Sequence, residues 1–281
     1  MRHDQTPTHH RRIVPVFQTS ESGQDKPNAS RSTDKELDAP VSHRFAFAGE
    51  TFLALRSGAL LHPDQGLLLV ADLHLEKGSA FARTGQFLPP YDSQMTLALL
   101  EADIAAHQPQ TVICLGDSFH DVDGPNRLDE AVKSRLCALT QRLAWHWITG
   151  NHDPHLPESV GGKVAENGIL EGAEGGIFLC HEPGEGNSEV ESAKQTRHRA
   201  EICGHLHPVV SIPSRGRTLR RKCFLVSPER IVMPAYGAYT GGLNIHEPAL
   251  AALASPSSRL LVIGRQVITE HPYAGIRRPK R

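Results

Sequence analysis

Five short, β-prone apolar runs, at 67–71, 111–115, 145–149, 177–180 and 200–203, each end on a histidine or acidic motif. In chain order the motifs are Asp72-Leu73-His74, Gly116-Asp117, Gly150-Asn151-His152-Asp153, His181 and Gly204-His205-Leu206-His207. Runs this short, bounded by glycine and polar residues, fit buried strands better than helices. A parallel or mixed sheet with helical crossovers collects its C-terminal strand ends along one rim, where residues distant in sequence meet. Oxygen and imidazole ligands gathered on such a rim, almost without thiolate, describe a two-metal hydrolytic centre.

Helices are expected between these strands. Asp92 or Ser93 can cap one that runs to about 107, with Leu97, Leu100 and Ile104 as its apolar stripe. A second, over about 128–143, carries Leu128, Val132, Leu136, Leu139 and Leu143 on one face. Two runs around His62-Pro63-Asp64-Gln65 read as a hairpin leading into the first motif strand. This β-α-β-α-β order argues for an α/β layered core. Beyond 177 the pattern turns to short strands and turns, at 200–203, 222–226, 231–234 and 260–263. The expected fold is therefore α/β: a two-sheet β-sandwich flanked by helices, with a dinuclear metal site at the C-terminal strand ends.

Residues 1–42 are rich in Thr, Ser, Asp, Gln, Pro and Arg and cannot bury enough surface to offset their ordering entropy. They read as a disordered tail, with His9-His10-Arg11-Arg12 a solvated cluster within it. The folded domain is expected over 43–268 and a basic tail over 269–281. A net charge of −1 gives no global field toward nucleic acid or membrane, so any polyanion affinity must come from local patches. The five cysteines are widely spaced, with no Cys-x-x-Cys pair, and read as small buried hydrophobes in a reducing compartment. No apolar stretch approaches the ~20 residues needed to span a bilayer, and no signal-peptide core opens the chain. A cytoplasmic protein without membrane contact is the expectation.

In Asp72-Leu73-His74 the ligand types stand at i and i+2, which on an extended segment point to the same side. Gly116 lets the chain turn sharply before Asp117. A carboxylate has two oxygens and can bridge two cations, so Asp117 is the candidate bridge. Asn151 offers an amide oxygen to a metal. His152 is read as an unligated imidazole facing the site, with Asp153 fixing its tautomer. His181, His205 and His207 complete the candidate ligands, whereas Cys180 and Cys203 are assigned to core packing. Lys77 and Arg83 are candidate phosphate contacts. The run Arg215, Arg217, Arg220, Arg221 and Lys222 reads as a loop leading into a strand. It serves either to neutralise a nucleic-acid backbone or as a solvated hairpin tip. Tyr236 and Tyr239 either stack bases or pack in the interior.

The ordered set Asp-x-His, Gly-Asp, Gly-Asn-His-Asp, His, Gly-His-x-His resembles the calcineurin-like metallophosphoesterase superfamily. The resemblance implies one metal held by Asp72, His74, Asp117 and His207, and a second by Asp117, Asn151, His181 and His205. It also implies that His152 is the unligated catalytic imidazole, seconded by Asp153. Many members place an acidic or amide residue three positions after the bridging Asp, where this chain has His120. The segments 72–79, 81–83, 88–92, 115–121, 204–208 and 233–242 are similar to the ligase-associated DNA damage response branch, in which His120 is not aberrant. That branch implies a manganese-dependent DNA phosphodiesterase or endonuclease. It would work beside a DNA ligase, a helicase and an exonuclease. Lys77, Arg83, His120 and Arg221 are then the candidate substrate contacts. The chemistry expected is in-line attack on phosphorus by a hydroxide shared between two cations, Mn²⁺ foremost, with Fe or Zn²⁺ compatible with the ligand set. Two alternatives stand beside it. One is a phosphodiesterase for small molecules or cyclic nucleotides. The other is a non-catalytic metal-binding repair scaffold, for which intact His152 and Asp153 have no use.

Overall fold

The computed structural model describes residues 16–17, 42–172, 175–185, 198–214 and 217–278. Its strands and helices, in chain order, begin with β1 (Val16–Phe17), β2 (Ser42–Phe47), β3 (Glu50–Leu55), β4 (Leu60–His62) and β5 (Leu67–Val70). There follow α1 (Lys77–Arg83), α2 (Asp92–His107), β6 (Thr111–Leu115), α3 (Gly124–Arg127), α4 (Glu130–Arg142) and β7 (Ala144–Ile148). Next come β8 (Lys163–Ala165), β9 (Gly168–Leu170), β10 (Gly176–Cys180), β11 (His198–Cys203), β12 (Val209–Ser214), β13 (Arg217–Val226) and β14 (Arg230–Val232). The chain closes with α5 (Pro248–Ala251), β15 (Arg259–Ile263) and β16 (Ile268–Pro272).

These strands form two mixed sheets. One runs in sequence order from β2 to β8, and the other has the order β1-β9-β10-β11-β14-β13-β15-β16, with β12 paired to β13. In the first, β5, β6, β7 and β8 are parallel neighbours. In the second, β10, β11 and β14 are parallel. The parallel sets point their C-terminal ends to the motif loops, as the sequence pattern requires.

Period-two alternation builds the layers. From β5 and β6, Leu67, Leu69, Ile113 and Leu115 face the second sheet's Leu179, Ile202, Phe224 and Leu261. Their neighbours Leu68, Val70, Val112 and Cys114 face outward onto Leu97, Leu100 and Ile104 of α2 and Val132, Leu136 and Leu139 of α4. The outer face of the second sheet, with Cys180, Cys203, Cys223 and Leu225, is covered by Ile245 and Leu250. Each such fully buried Leu, Ile or Phe contributes about 1.5–3 kcal/mol. Both expected faces of the sandwich are thereby closed. Among the described residues no helix is long and apolar enough to cross a membrane.

Several expectations shift. Asp92 and Ser93 do not cap α2, whose N-cap is Tyr91 with no side-chain cap bond. Their side chains turn to the loop after the first motif: Asp92 Oδ2 accepts from Gly78 N at 2.9 Å and Ser93 Oγ from Glu76 N at 2.8 Å. Of the basic run, Arg215 lies outside the described residues, and Arg217, Arg220, Arg221 and Lys222 lie in a strand, Arg217–Val226, and not in a loop before it; its partner β12 was unread in the sequence. The domain also runs past 268, since Ile268–Pro272 pair with β15 as an edge strand whose polar residues mask it as tail. The expected N-terminal tail, with His9 and His10, lies outside the described residues except at three positions. Val16–Phe17 pair parallel with Ile169–Leu170, which that expectation did not include, and Ser42 opens β2.

Candidate metal centre

The ligand loops are built from left-handed backbone. Asp72 (φ 55), His74 (φ 43), Asp117 (φ 47), His205 (φ 68) and His207 (φ 44) all adopt positive φ without being glycine. In Asp-x-His and His-x-His every second residue is therefore kinked. The shared direction at i and i+2 comes from these kinks and not from an extended strand. Each such residue costs on the order of 1–2 kcal/mol, offset by bonds between the loops. Asp72 N donates to Gly116 O (3.2 Å), His74 N to Asp117 O (2.9 Å) and Gly204 N to His181 O (3.0 Å). Two glycines are required by contact. A Cβ on Gly116 would lie 2.2 Å from His181 Nδ1, and one on Gly150 would lie 2.2 Å from Asp117 Oδ1.

Three groups of ligand atoms result among the described residues, each with its atoms within 4.8 Å of one another: Asp72/His74/His207 and Asp117/His181/His205, which contain carboxylates, and the all-histidine His74/His120/His152. In the first, His207 Nε2 is 3.1 Å from Asp72 Oδ1 and 3.4 Å from His74 Nε2. In the second, His181 Nε2 is 3.0 Å from Asn151 Oδ1, 3.1 Å from His205 Nδ1 and 3.4 Å from Asp117 Oδ1. The other oxygen of Asp117 turns to the first group, 3.8 Å from His74 Nε2. One carboxylate thus spans both.

His181 Nδ1 faces the carbonyl of Leu115 at 3.1 Å and must donate to it. Its Nε2 then meets an amide oxygen, a carboxylate and another imidazole, three groups rich in lone pairs. Burial works against charge on His181, yet Asp117 and Asp72 lift its pKa to about 9. Burial likewise opposes charge on Asp117, but the His181 hydrogen bond and charge prevail and hold it at about 2. Burial pushes the pKa of His74 down to about 2, leaving one ring nitrogen with a lone pair to offer. A buried nest of carboxylates, an amide oxygen and imidazoles, whose acidic groups hold a proton on His181 that a cation would displace, is the chemistry a pair of divalent cations satisfies. The residues present therefore fit the metals.

His152 lies at the open side, its side chain 39% exposed. Its Nδ1 donates to His120 O at 2.7 Å, and its Nε2 stands 4.0 Å from Asp117 Oδ2. Among the described residues Asp153 makes no hydrogen bond to the His152 ring. The buried Asp153 carboxylate accepts from Gly150 N (2.9 Å) and Phe119 N (3.0 Å), fastening two motif loops, and burial raises its pKa to about 6. The carbonyl of His120 takes the role expected of Asp153.

The expected substrate contacts divide. The His120 ring stacks on His152 (centroids 5.2 Å apart) and meets His74 edge-on. Lys77 sits over Phe81, its pKa lowered by burial, and its charge is felt by both His74 and His120. Arg83 points away, an exposed side chain 3.2 Å from Asp123. Arg221 makes its bond to the neighbouring Arg220 carbonyl and does not join the cluster. Lys222 reaches inward instead, donating to Ala235 O (2.6 Å) and Gly237 O (3.2 Å), and burial lowers its pKa to about 8 against the pull of Asp72. Alternation could have singled it out, since Lys222 shares the inward face of β13 with Phe224. Tyr236 is buried, donating to Asp103 Oδ2 at 2.9 Å, while Tyr239 is exposed.

A two-sheet sandwich with this histidine and carboxylate set on one rim defines a metallophosphoesterase. The pattern of the calcineurin-like phosphoesterase superfamily domain matches residues 66–234, more than half of the chain, and the chain belongs to that superfamily. Among solved structures it is similar to the nuclease MPE of Pseudomonas putida, with a TM-score of 0.58 and 26% identity over 81% of this chain and 100% of that one. The E. coli phosphoesterase Yfce also matches, with a TM-score of 0.37 and 16% identity over 73% of this chain and 98% of that one. No curated protein sequence matches.

Proposed function

We propose that this chain is a two-metal phosphodiesterase acting on DNA. The observation that carries the reading is the Asp117 carboxylate, whose two oxygens face different imidazole groups. One metal would be held by Asp72, His74, Asp117 and His207, the other by Asp117, Asn151, His181 and His205. Two divalent ions so placed supply charge for a phosphoryl group and lower the pKa of bound water. Manganese suits this mixed nitrogen and oxygen set, and iron or zinc would also be accommodated.

The chain's own groups supply the rest. The Nδ1–H of His152 is occupied by the His120 carbonyl, so Nε2 is the atom that takes up the second proton, and the imidazolium so formed gives that proton to the leaving oxygen. Lys77 and the His120 ring line the approach to His74 and His152, where a substrate phosphate would sit. The similarity to a bacterial nuclease over its whole length supports a nucleic-acid substrate. The test is to assay Mn²⁺-loaded protein in parallel on single-stranded DNA, duplex DNA and a chromogenic phosphodiester. Cleavage of either DNA is expected. Turnover of the small phosphodiester alone would reassign the substrate.

A further inference from the structure

We propose that Arg127 is a positioning residue for His152, acting through Asp121 and the carbonyl oxygen of His120. The proposal rests on the catalytic reading of His152. Arg127 closes α3, and its side chain is 17% exposed. Nη1 and Nη2 donate to the two oxygens of Asp121, each at 2.8 Å, and Nε donates to Ser79 Oγ at 2.9 Å. A planar guanidinium bound at three points fixes orientation as well as charge. Its anchor is firm. Ser79 Oγ donates to Glu76 Oε2 (2.6 Å), and Glu76 Oε1 accepts from Ser93 Oγ (2.8 Å) at the start of α2.

The link to His152 runs through one peptide plane. The carbonyl of His120 belongs to the unit joining His120 to Asp121, and that unit is planar. Holding the Asp121 side chain therefore limits how the carbonyl can rotate. On its other side His120 is held by its own N–H, which donates to Leu75 O at 2.9 Å. The carbonyl so aimed accepts the Nδ1–H of His152 at 2.7 Å. Because it can only accept, it keeps a proton on Nδ1 in both protonation states and leaves Nε2, turned toward Asp117, as the atom that gains and gives up the transferred proton. Asp121 is 36% exposed, and a pair so open to water adds little to stability. Its value lies in geometry.

The test compares Arg127→Ala, His152→Ala and the double variant, all metal-loaded, on a nitrophenyl phosphodiester and on one with an alkoxide leaving group. Arg127→Ala should lower kcat about tenfold to hundredfold. KM and metal content should be unchanged, and the loss should be larger for the poorer leaving group. The double variant should be no slower than His152→Ala alone, since the two residues act on one proton. Arg127→Lys, keeping charge without the fork, should recover only part of the rate. Asp121→Asn should reproduce the loss, and it decides the matter if Arg127→Ala fails to fold. Losses that multiply in the double variant, a raised KM, or wild-type rates in both Arg127→Ala and Asp121→Asn would overturn the proposal. A fully active His152→Ala would sink the catalytic reading of His152 and this link together. Multiplied losses on a slow His152→Ala would sink the link alone.

Discussion

Asp117 Oδ1 accepts the backbone N–H of His152 at 2.9 Å, while its Oδ2 faces that residue's ring Nε2 at 4.0 Å. The carboxylate proposed to serve both metals therefore also holds the loop that presents the His152 imidazole. Replacing Asp117 by Asn should lose more activity than replacing any terminal ligand, because one amide oxygen cannot serve two ions. Metal content should fall to one per chain or none. Two retained metals and near-normal turnover in Asp117→Asn would show the bridge to be misassigned.

His152→Ala should keep both metals and lose on the order of 10²–10³ in kcat. The loss should shrink when the leaving group is nitrophenolate, which needs little protonation. Metal analysis with kinetics on two leaving groups separates the cases. A lost metal would make His152 a ligand, and equal losses would make it a stabiliser of phosphoryl charge.

Gly150→Ala tests the close approach of two motif loops. Its Cβ would lie 2.2 Å from Asp117 Oδ1 and 2.3 Å from Asp117 N. Neither atom can retreat without moving the carboxylate. The variant should bind metal weakly and turn over slowly while its circular dichroism stays native. Unchanged metal affinity would mean that the Asp117 loop is softer than its contacts imply.

Tyr236→Phe removes the hydroxyl that donates to buried Asp103, whose pKa burial already raises. Leaving that carboxylate short of a partner should cost about 1–3 kcal/mol, read as a fall of several degrees in Tm, with turnover near normal. A large rise in KM for DNA at an unchanged Tm would restore the base-stacking role to Tyr236.

Much of this was legible in the sequence. β5 and β6 lie buried on both faces, so their composition is almost continuously apolar and their motifs follow at once. The helices α2 and α4 declare themselves by their stripes. The outer half of β13 was hidden because it is half-exposed and cationic, and charge there outweighs the alternation of Leu219 and Cys223. The roles of Asp153 and Asp92 were hidden for another reason. Asp153 reaches the N–H of Phe119 in an earlier motif loop and Asp92 that of Gly78 in the first turn of α1, and no local pattern records such partners. Left-handed φ at Asp72, His74, Asp117, His205 and His207 was likewise invisible, because at these positions contacts between loops distant in sequence hold it.

The most direct measurement is metal-dependent turnover with stoichiometry. The protein is stripped with chelator and titrated with Mn²⁺ or Mg²⁺, and phosphodiester hydrolysis is followed beside bound metal per chain. Activity should vanish on stripping and return as two Mn²⁺ bind. Mg²⁺ should restore far less, because it prefers oxygen ligands and retains its water. Full hydrolysis in chelator, or complete recovery with one metal per chain, would contradict a two-metal centre bridged by Asp117.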